Sequence, residues 1–318
     1  MRGSLKDLDE SQKKVLMFGG KGGVGKSTCS AAAALHFAST GKRTLLISSD
    51  PMPSLGDILE MKIGPSEHKV MGVENLYAVE IDYEEVLKRW KEKFGPEVYE
   101  ALSSFVPVEP DIIDYIARAP GLDEEFMLDY IVGLVEEERF DLIVWDTAPA
   151  GHTIRLLNLP IQFVTHLNAA AKTYLSLQDY FNKIKKAAGI KKPGRSPLLI
   201  IKEWKALATK AVDFLRDQTR VEFIVVTVPE ALCVYQTERM IQEFDRYGLA
   251  LRHLVINHVV KDPDCIFHNK RMETQRRYLD LLKERYGGRL RLIEIPESSI
   301  EIIGIDRLNE IGRILFKT

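Results

Sequence analysis

Cysteine is scarce in this chain: Cys29, Cys233 and Cys265 are the only three in 318 residues. They are too few and too scattered for a disulfide framework, and a reducing compartment suits them better. No apolar run approaches the ~20 residues that a membrane-spanning helix needs. The first ten residues, MRGSLKDLDE, are polar and lack the apolar core of a signal peptide. The expected location is therefore the cytoplasm, with any membrane business conducted through a partner or an exposed groove. Surplus charge is missing too. Forty-four basic against 46 acidic residues leave a net charge of −2, so no nucleic-acid partner is expected. Internal repeats are absent, and the nearest thing to a low-complexity tract is a basic turn at 191–197.

What is present suits one large α/β domain with a sizeable insertion, since apolar residues make up 45% of the chain. Short runs rich in Val, Ile and Leu fall at 15–20, 44–50, 76–82, 141–146, 222–228, 253–260 and 291–295. Nearly continuous apolar runs of that length mark strands buried on both faces. Their alternation with helical patterns predicts a doubly wound, mostly parallel sheet. Two long intervals hold helical patterns and no strand, with Gly95-Pro96 among the breaks in the first. The expected organisation is a flexible tail at 1–13, then a single domain at 14–318. A helical subdomain is expected from about 83–138 and 159–219.

The strand at 15–18 runs into Gly20-Lys21-Gly22-Gly23-Val24-Gly25-Lys26-Ser27-Thr28 and then an Ala-rich helix. This is the context and the frame, Gly20-x-x-x-x-Gly25-Lys26-Ser27, of a phosphate-binding loop in a P-loop NTPase. Its glycines let backbone amides turn inward around phosphate oxygens, and the helix N-terminus adds its positive dipole end. Lys26 is expected to reach the β- and γ-phosphates of ATP, and the Ser27 hydroxyl to bind Mg²⁺. Asp50 and Asp146 each end an apolar strand. Acids at the carboxyl ends of parallel strands lie beside such a loop, where a water-mediated role at Mg²⁺ suits them.

Lys21 carries further information. Gly-Lys-Gly-Gly-x-Gly-Lys-Ser resembles the deviant Walker A class of ATPases, in which this lysine reaches a partner subunit's nucleotide. The resemblance implies a nucleotide-gated homodimer, with Lys21 catalytic in trans. Asp146-Thr147-Ala148-Pro149-Ala150-Gly151-His152-Thr153-Ile154-Arg155-Leu156-Leu157 narrows the match. It resembles the switch II signature of the arsenite-pump ATPase family, including its tail-anchored-protein targeting branch. The stretches beginning at Pro120 and Tyr235 are similar to that family as well, and the similarity runs from about residue 15 to the C-terminus. The resemblance makes Asp50 the switch I aspartate that positions the attacking water, with Asp57 a less suitable base. It makes Asn257 and Pro296 adenine-side residues. Met52 and Pro53 replace the family's Ala-His, and Ile303 replaces an arginine. Pro53 stiffens switch I, because proline fixes φ and removes a donor.

Cys265 and His268 fall where the targeting branch carries a zinc-binding Cys-x-x-Cys. Two copies of Cys-x-x-His related by a twofold axis would close a tetrahedral Zn²⁺ site, whereas one copy supplies too few ligands. The unrelated alternative is a surface cysteine beside a histidine. Three functions compete. The preferred reading is a homodimeric targeting ATPase that binds hydrophobic tail segments of membrane proteins and delivers them to a membrane receptor. The second is an ATPase driving arsenite or anion export through a pump subunit, which the absence of cysteine across 83–220 disfavours. The third is a ParA- or MinD-like partitioning ATPase, disfavoured by a final helix that looks built for packing.

Overall fold

A computed structural model describes residues 3–50, 54–103, 109–118, 122–147, 172 and 197–317. The chain forms two compact units. The first comprises Met1–Asp82, Gly133–Ile154 and Leu215–Thr318, and the second Tyr83–Val132 and Arg155–Phe214. The residues of switch II after Thr147, those at 51–53 and, residue 172 apart, those at 159–196 lie outside the described set.

The first unit is built on one sheet. Its described strands are β1 (Val15–Gly20), β2 (Thr44–Ser48), β3 (His68–Lys69), β4 (Leu76–Glu80), β5 (Leu142–Asp146), β6 (Val221–Thr227), β7 (Leu251–Val259) and β8 (Arg291–Pro296). They lie in the order β3-β4-β2-β5-β1-β6-β7-β8. Every pairing is parallel except β3 with β4 at the edge. The fold is thus the doubly wound α/β architecture expected, and β1, β2, β5 and β6 are buried along their whole length.

Strand alternation decides what each face does. Leu16, Phe18, Leu46, Ala78, Val144 and Ile224 share a core with helix α1 (Lys26–Ser39) and helix α9 (Gly304–Phe316). Ala31, Ala32, Ala33 and Ala34 are fully buried, and their small side chains let helices approach closely. A Cβ added to Gly312 of α9 would meet the Ala32 carbonyl at 3.3 Å. The remaining helices of this unit are the single turn α2 (Leu55–Ile58), α7 (Ala231–Tyr247) and α8 (Ile266–Tyr286).

The N-terminus is not the frayed tail expected. Leu5 and Leu8 are buried around a 3₁₀ turn at Lys6–Leu8. Gly3 N donates to Leu292 O and Leu5 N to Leu315 O, at 2.9 and 2.8 Å. Asp7 pairs with Arg291 at 2.8 Å and with His253 Nε2 at 3.2 Å, and Asp9 pairs with His36 at 2.7 Å. His253 turns its other nitrogen to Glu222 at 2.9 Å, and Lys13 reaches the same carboxylate at 2.9 Å. Burial pushes the Glu222 carboxyl up, but the His253 and Lys13 bonds outweigh it and hold the value below normal. Charged residues in a short polar stretch read as solvated tail; here Asp7 and Asp9 each have partners farther along the chain.

The second unit is helical in its described part, with α3 (Tyr83–Ser103), α4 (Ile112–Ala117), most of α5 (Leu122–Glu136) and most of α6 (Pro197–Arg216). Helix α3 buries Val86, Leu87, Trp90 and Val98 along one stripe. It runs unbroken through Pro96, where a break was expected. An interior proline costs about 3 kcal/mol, and here packing of that stripe outweighs the propensity.

Leu5→Ala should lower the unfolding free energy by ~2–4 kcal/mol, the cost of emptying a fully buried leucine site. Urea denaturation checks this, since a true tail would give no change.

Candidate active site

The phosphate loop leaves β1 at Gly20 and enters α1 at Lys26. Two of its glycines are forced by space as well as by angle. Gly20 has φ +150°, and a Cβ there would meet the Val226 carbonyl at 2.2 Å. Gly25 has φ +91°, and a Cβ there would strike Asn257 Nδ2 at 2.3 Å. The first contact is with backbone and excludes any side chain; the second is with the end of the Asn257 side chain, which lets that amide pack against the loop. Asn257 Nδ2 donates to the Val24 carbonyl at 3.0 Å. The amide that the resemblance turns toward the base is therefore engaged here with the loop itself. Pro296 ends β8, and Glu297 N donates to Val259 O at 3.0 Å, so the strand ends at Asn257 and Pro296 are held together.

Lys26 is buried at the first position of α1, and Ser27 and Thr28 follow on the same turn. Asp146 ends β5 beneath them, fully buried, with no hydrogen-bond partner on either carboxylate oxygen among the described residues. Burial raises its carboxyl from 3.8 to about 7; Ser27 and Lys26 pull the value down, while Asp50 and Glu80 push it up. An orphaned buried carboxylate beside a hydroxyl and two further acids is a hard-oxygen donor set, which fits Mg²⁺. Ser27, Asp146 and Asp50 are the residues that can hold it, directly or through water.

Asp50 stands half-buried just beyond β2, its N–H donating to Ser48 Oγ at 3.3 Å. Asp57 lies exposed on α2. Lys21 is half-buried and has no ion-pair or hydrogen-bond partner among the described residues, though its charge reaches Cys233 on α7. Lys21, Lys26, Ser27, Asp50, Asp146, Asn257 and Pro296 thus gather at the carboxyl ends of the strands, where open α/β sheets bind ligands. Cys265 and His268 form a separate group.

Three contacts escaped sequence reasoning. Ser54 Oγ donates to Ser27 Oγ at 3.1 Å, Trp145 Nε1 donates to Ser49 Oγ at 2.9 Å, and Glu80 accepts from the Leu55 and Gly56 amides. Glu80 carried a usable signal, because it ends an apolar strand just as Asp146 does. Ser49 and Ser54 carried none.

At Cys265 the sulfur caps α8, accepting from His268 N at 3.5 Å. Asp264, Cys265 and His268 place one donor atom each within 4.8 Å of one another at the surface. His268 Nδ1 lies 2.5 Å from Asp264 Oδ1.

A model of the anion-transporting ATPase family matches residues 13–317. The chain belongs to that family. It is an ATPase, and family membership brings use of a nucleotide, with Mg²⁺ as the usual ion. Similar ATPases match end to end. ATPase ASNA1 homolog 1 of Paramecium tetraurelia is 32% identical over 320 residues, 99% of this chain and 96% of that protein. ATPase GET3 of Podospora anserina is 31% identical over 324 residues, 98% and 92% of the two chains. ATPase get3 of Schizosaccharomyces pombe is 28% identical over 318 residues, 99% and 95%.

The raised Asp146 value fixes the sign of a pH effect in this ATPase. Between about pH 4 and 7 the folded, metal-free protein keeps a proton that the unfolded chain has released, so stability falls as pH rises through that window. Asp146→Asn should therefore stabilise the nucleotide-free protein at pH 8 by on the order of 2–4 kcal/mol. The gain should vanish near pH 4, and Mg²⁺-dependent hydrolysis should be lost. Urea melts at the two pH values check the first part; a variant less stable than the wild type at pH 8 refutes it.

Proposed function

We propose that this ATPase works as a nucleotide-gated homodimer that shields the hydrophobic segment of tail-anchored membrane proteins and hands it to a membrane-bound receptor. The observation that carries this reading is the end-to-end match with ATPases named GET3 and ASNA1. A relative covered to 96% by a chain of this length is a single half, not the two fused halves usual for arsenite-activated pumps. The switch II signature that opens at Asp146 supports the same branch.

In this reading Lys26 binds the phosphates of its own ATP, and Asn257 and Pro296 flank the base. Lys21, which has no partner among the described residues, completes the site of a second copy when two subunits close. Such a charge delivered in trans acts like an arginine finger. Mg²⁺, when bound by Ser27 with Asp50 and Asp146, neutralises charge on the phosphates. Asp50 orients the attacking water. The helical unit supplies the apolar surface for the client: Leu199 and Leu207, two turns apart on α6, are 44% and 40% exposed. Among the described residues no helix is long and apolar enough to cross a membrane. A partitioning role is disfavoured because α9 already buries Leu308, Ile311, Leu315 and Phe316 in the core, leaving no apolar stripe for a membrane.

Purified protein should capture a hydrophobic tail segment in an ATP-dependent manner, and arsenite should leave its ATPase rate unchanged. Lys21→Ala should bind ATP yet neither dimerise with it nor capture the tail. Failure of capture together with arsenite stimulation sinks this reading in favour of anion export.

Zinc belongs to the same proposal. Cys265 and His268 from two copies would supply four ligands, and a carboxylate on the ring, as Asp264 provides, is the usual way to orient a metal-binding histidine. Metal analysis of the reduced, purified dimer should find one Zn²⁺ per two chains. Zinc-free dimer rules the site out.

A further inference from the structure

The loop that carries Asp50 joins β2 to the single turn α2, and its two ends are held by different devices. At the start, Ser49 N donates to the Asp146 carbonyl at 3.2 Å, and Ser49 Oγ receives the Trp145 indole N–H at 2.9 Å. At the far end the expected cap is missing. Ser54 is the N-cap residue of α2 but makes no cap hydrogen bond; its hydroxyl donates to Ser27 Oγ. The first amides of a helix need an acceptor. A residue from another strand provides it: Glu80 Oε1 accepts from Leu55 N at 2.6 Å and from Gly56 N at 3.3 Å.

Glu80 is placed for this by strand register. Ser48 pairs with Glu80 on one side and with Asp146 on the other, so the two acids occupy one row of the sheet and point to the same face. A third carboxylate beside Asp50 and Asp146 adds like-charge repulsion. Stability alone would favour a neutral residue there. The repulsion is tolerated in exchange for charge-assisted bonds to backbone amides, which are stronger than neutral ones. Gly56 fits the same arrangement: a Cβ there would lie 3.0 Å from the Met61 carbonyl, so the turn closes tightly next to Glu80.

We infer that Glu80 is a positioning residue of the ATPase reaction, clamping the Leu55 and Gly56 amides and so fixing Asp50 and Ser54 against the Ser27 end of the phosphate loop. The inference rests on the roles proposed above for Asp50 and Ser27. Glu80 touches neither nucleotide nor water in this scheme; it acts through the loop.

The test compares full-length Glu80→Ala, Glu80→Gln and Asp50→Asn with the wild type. In the nucleotide-free protein, Glu80→Ala should speed hydrogen exchange at the Leu55 and Gly56 amides by about tenfold or more. Its kcat should fall by roughly tenfold or more while KM for ATP stays within about threefold, since misplacement of a reacting group costs rate rather than binding. Glu80→Gln keeps an oxygen acceptor in the same place and should restore most of both. Unchanged exchange or unchanged kcat in Glu80→Ala overturns the inference. So does a parallel loss of kcat, KM and unfolding midpoint, or a glutamine variant no better than alanine. Normal turnover in Asp50→Asn overturns the reading on which the clamp rests. Slow turnover there with normal Glu80→Ala removes the clamp alone.

Discussion

A carboxylate with no hydrogen-bond partner among the described residues, sealed beneath the first turn of α1, is the constraint around which the first unit is organised. Asp146 is fully buried and both of its oxygens are orphaned. Left alone it would take up a proton, and burial does raise its value to about 7. The structure leans against that outcome only partly, with Lys26 and Ser27 on one side and the opposing acids Asp50 and Glu80 on the other. A site so balanced is poised for a divalent cation that arrives with phosphate, and it is unfavourable without one. The parallel sheet makes this possible by gathering the carboxyl ends of β2, β4 and β5 at one edge of the loop.

The pleat divides labour between the two faces of β5. Trp145 and its neighbour Asp146 point to opposite sides, yet both act on the loop around Asp50. The indole holds Ser49 from one face, and Glu80 holds the α2 turn from the face that Asp146 shares. The loop is therefore gripped at its two ends by residues of different strands.

Much of this was legible in the sequence, and the boundary is physical. The phosphate loop is a local pattern, because glycine spacing, a lysine and a hydroxyl follow from backbone geometry within ten residues. The strands announced themselves because a parallel sheet buries both faces and leaves continuous apolar runs. Asp50 and Asp146 were found by their place at strand ends. Glu80 obeys the same rule and was passed over, since nothing local shows that its acceptor serves amides 25 residues upstream in the chain. The N-terminal segment was misread for a related reason. Leu5, Asp7 and Asp9 gain their meaning from Leu315, His253, Arg291 and His36, and such contacts leave no trace in a short window. Pro96 shows the reverse case, a strong local signal overridden by packing.

The closure of the first unit by its last helix has a consequence for biosynthesis. Helix α1, made early, lays Phe37 and His36 against Phe316, with ring centroids 5.3 and 3.6 Å apart, and receives α9 along its alanine face. That face has no cover until residues 304–316 have left the ribosome. At ordinary elongation rates the interval is roughly 10–50 s. Through most of it the phosphate loop also lacks Val226 and Asn257, which pack on Gly20 and Gly25. The phosphate loop can therefore reach its folded packing only after most of the chain has been translated.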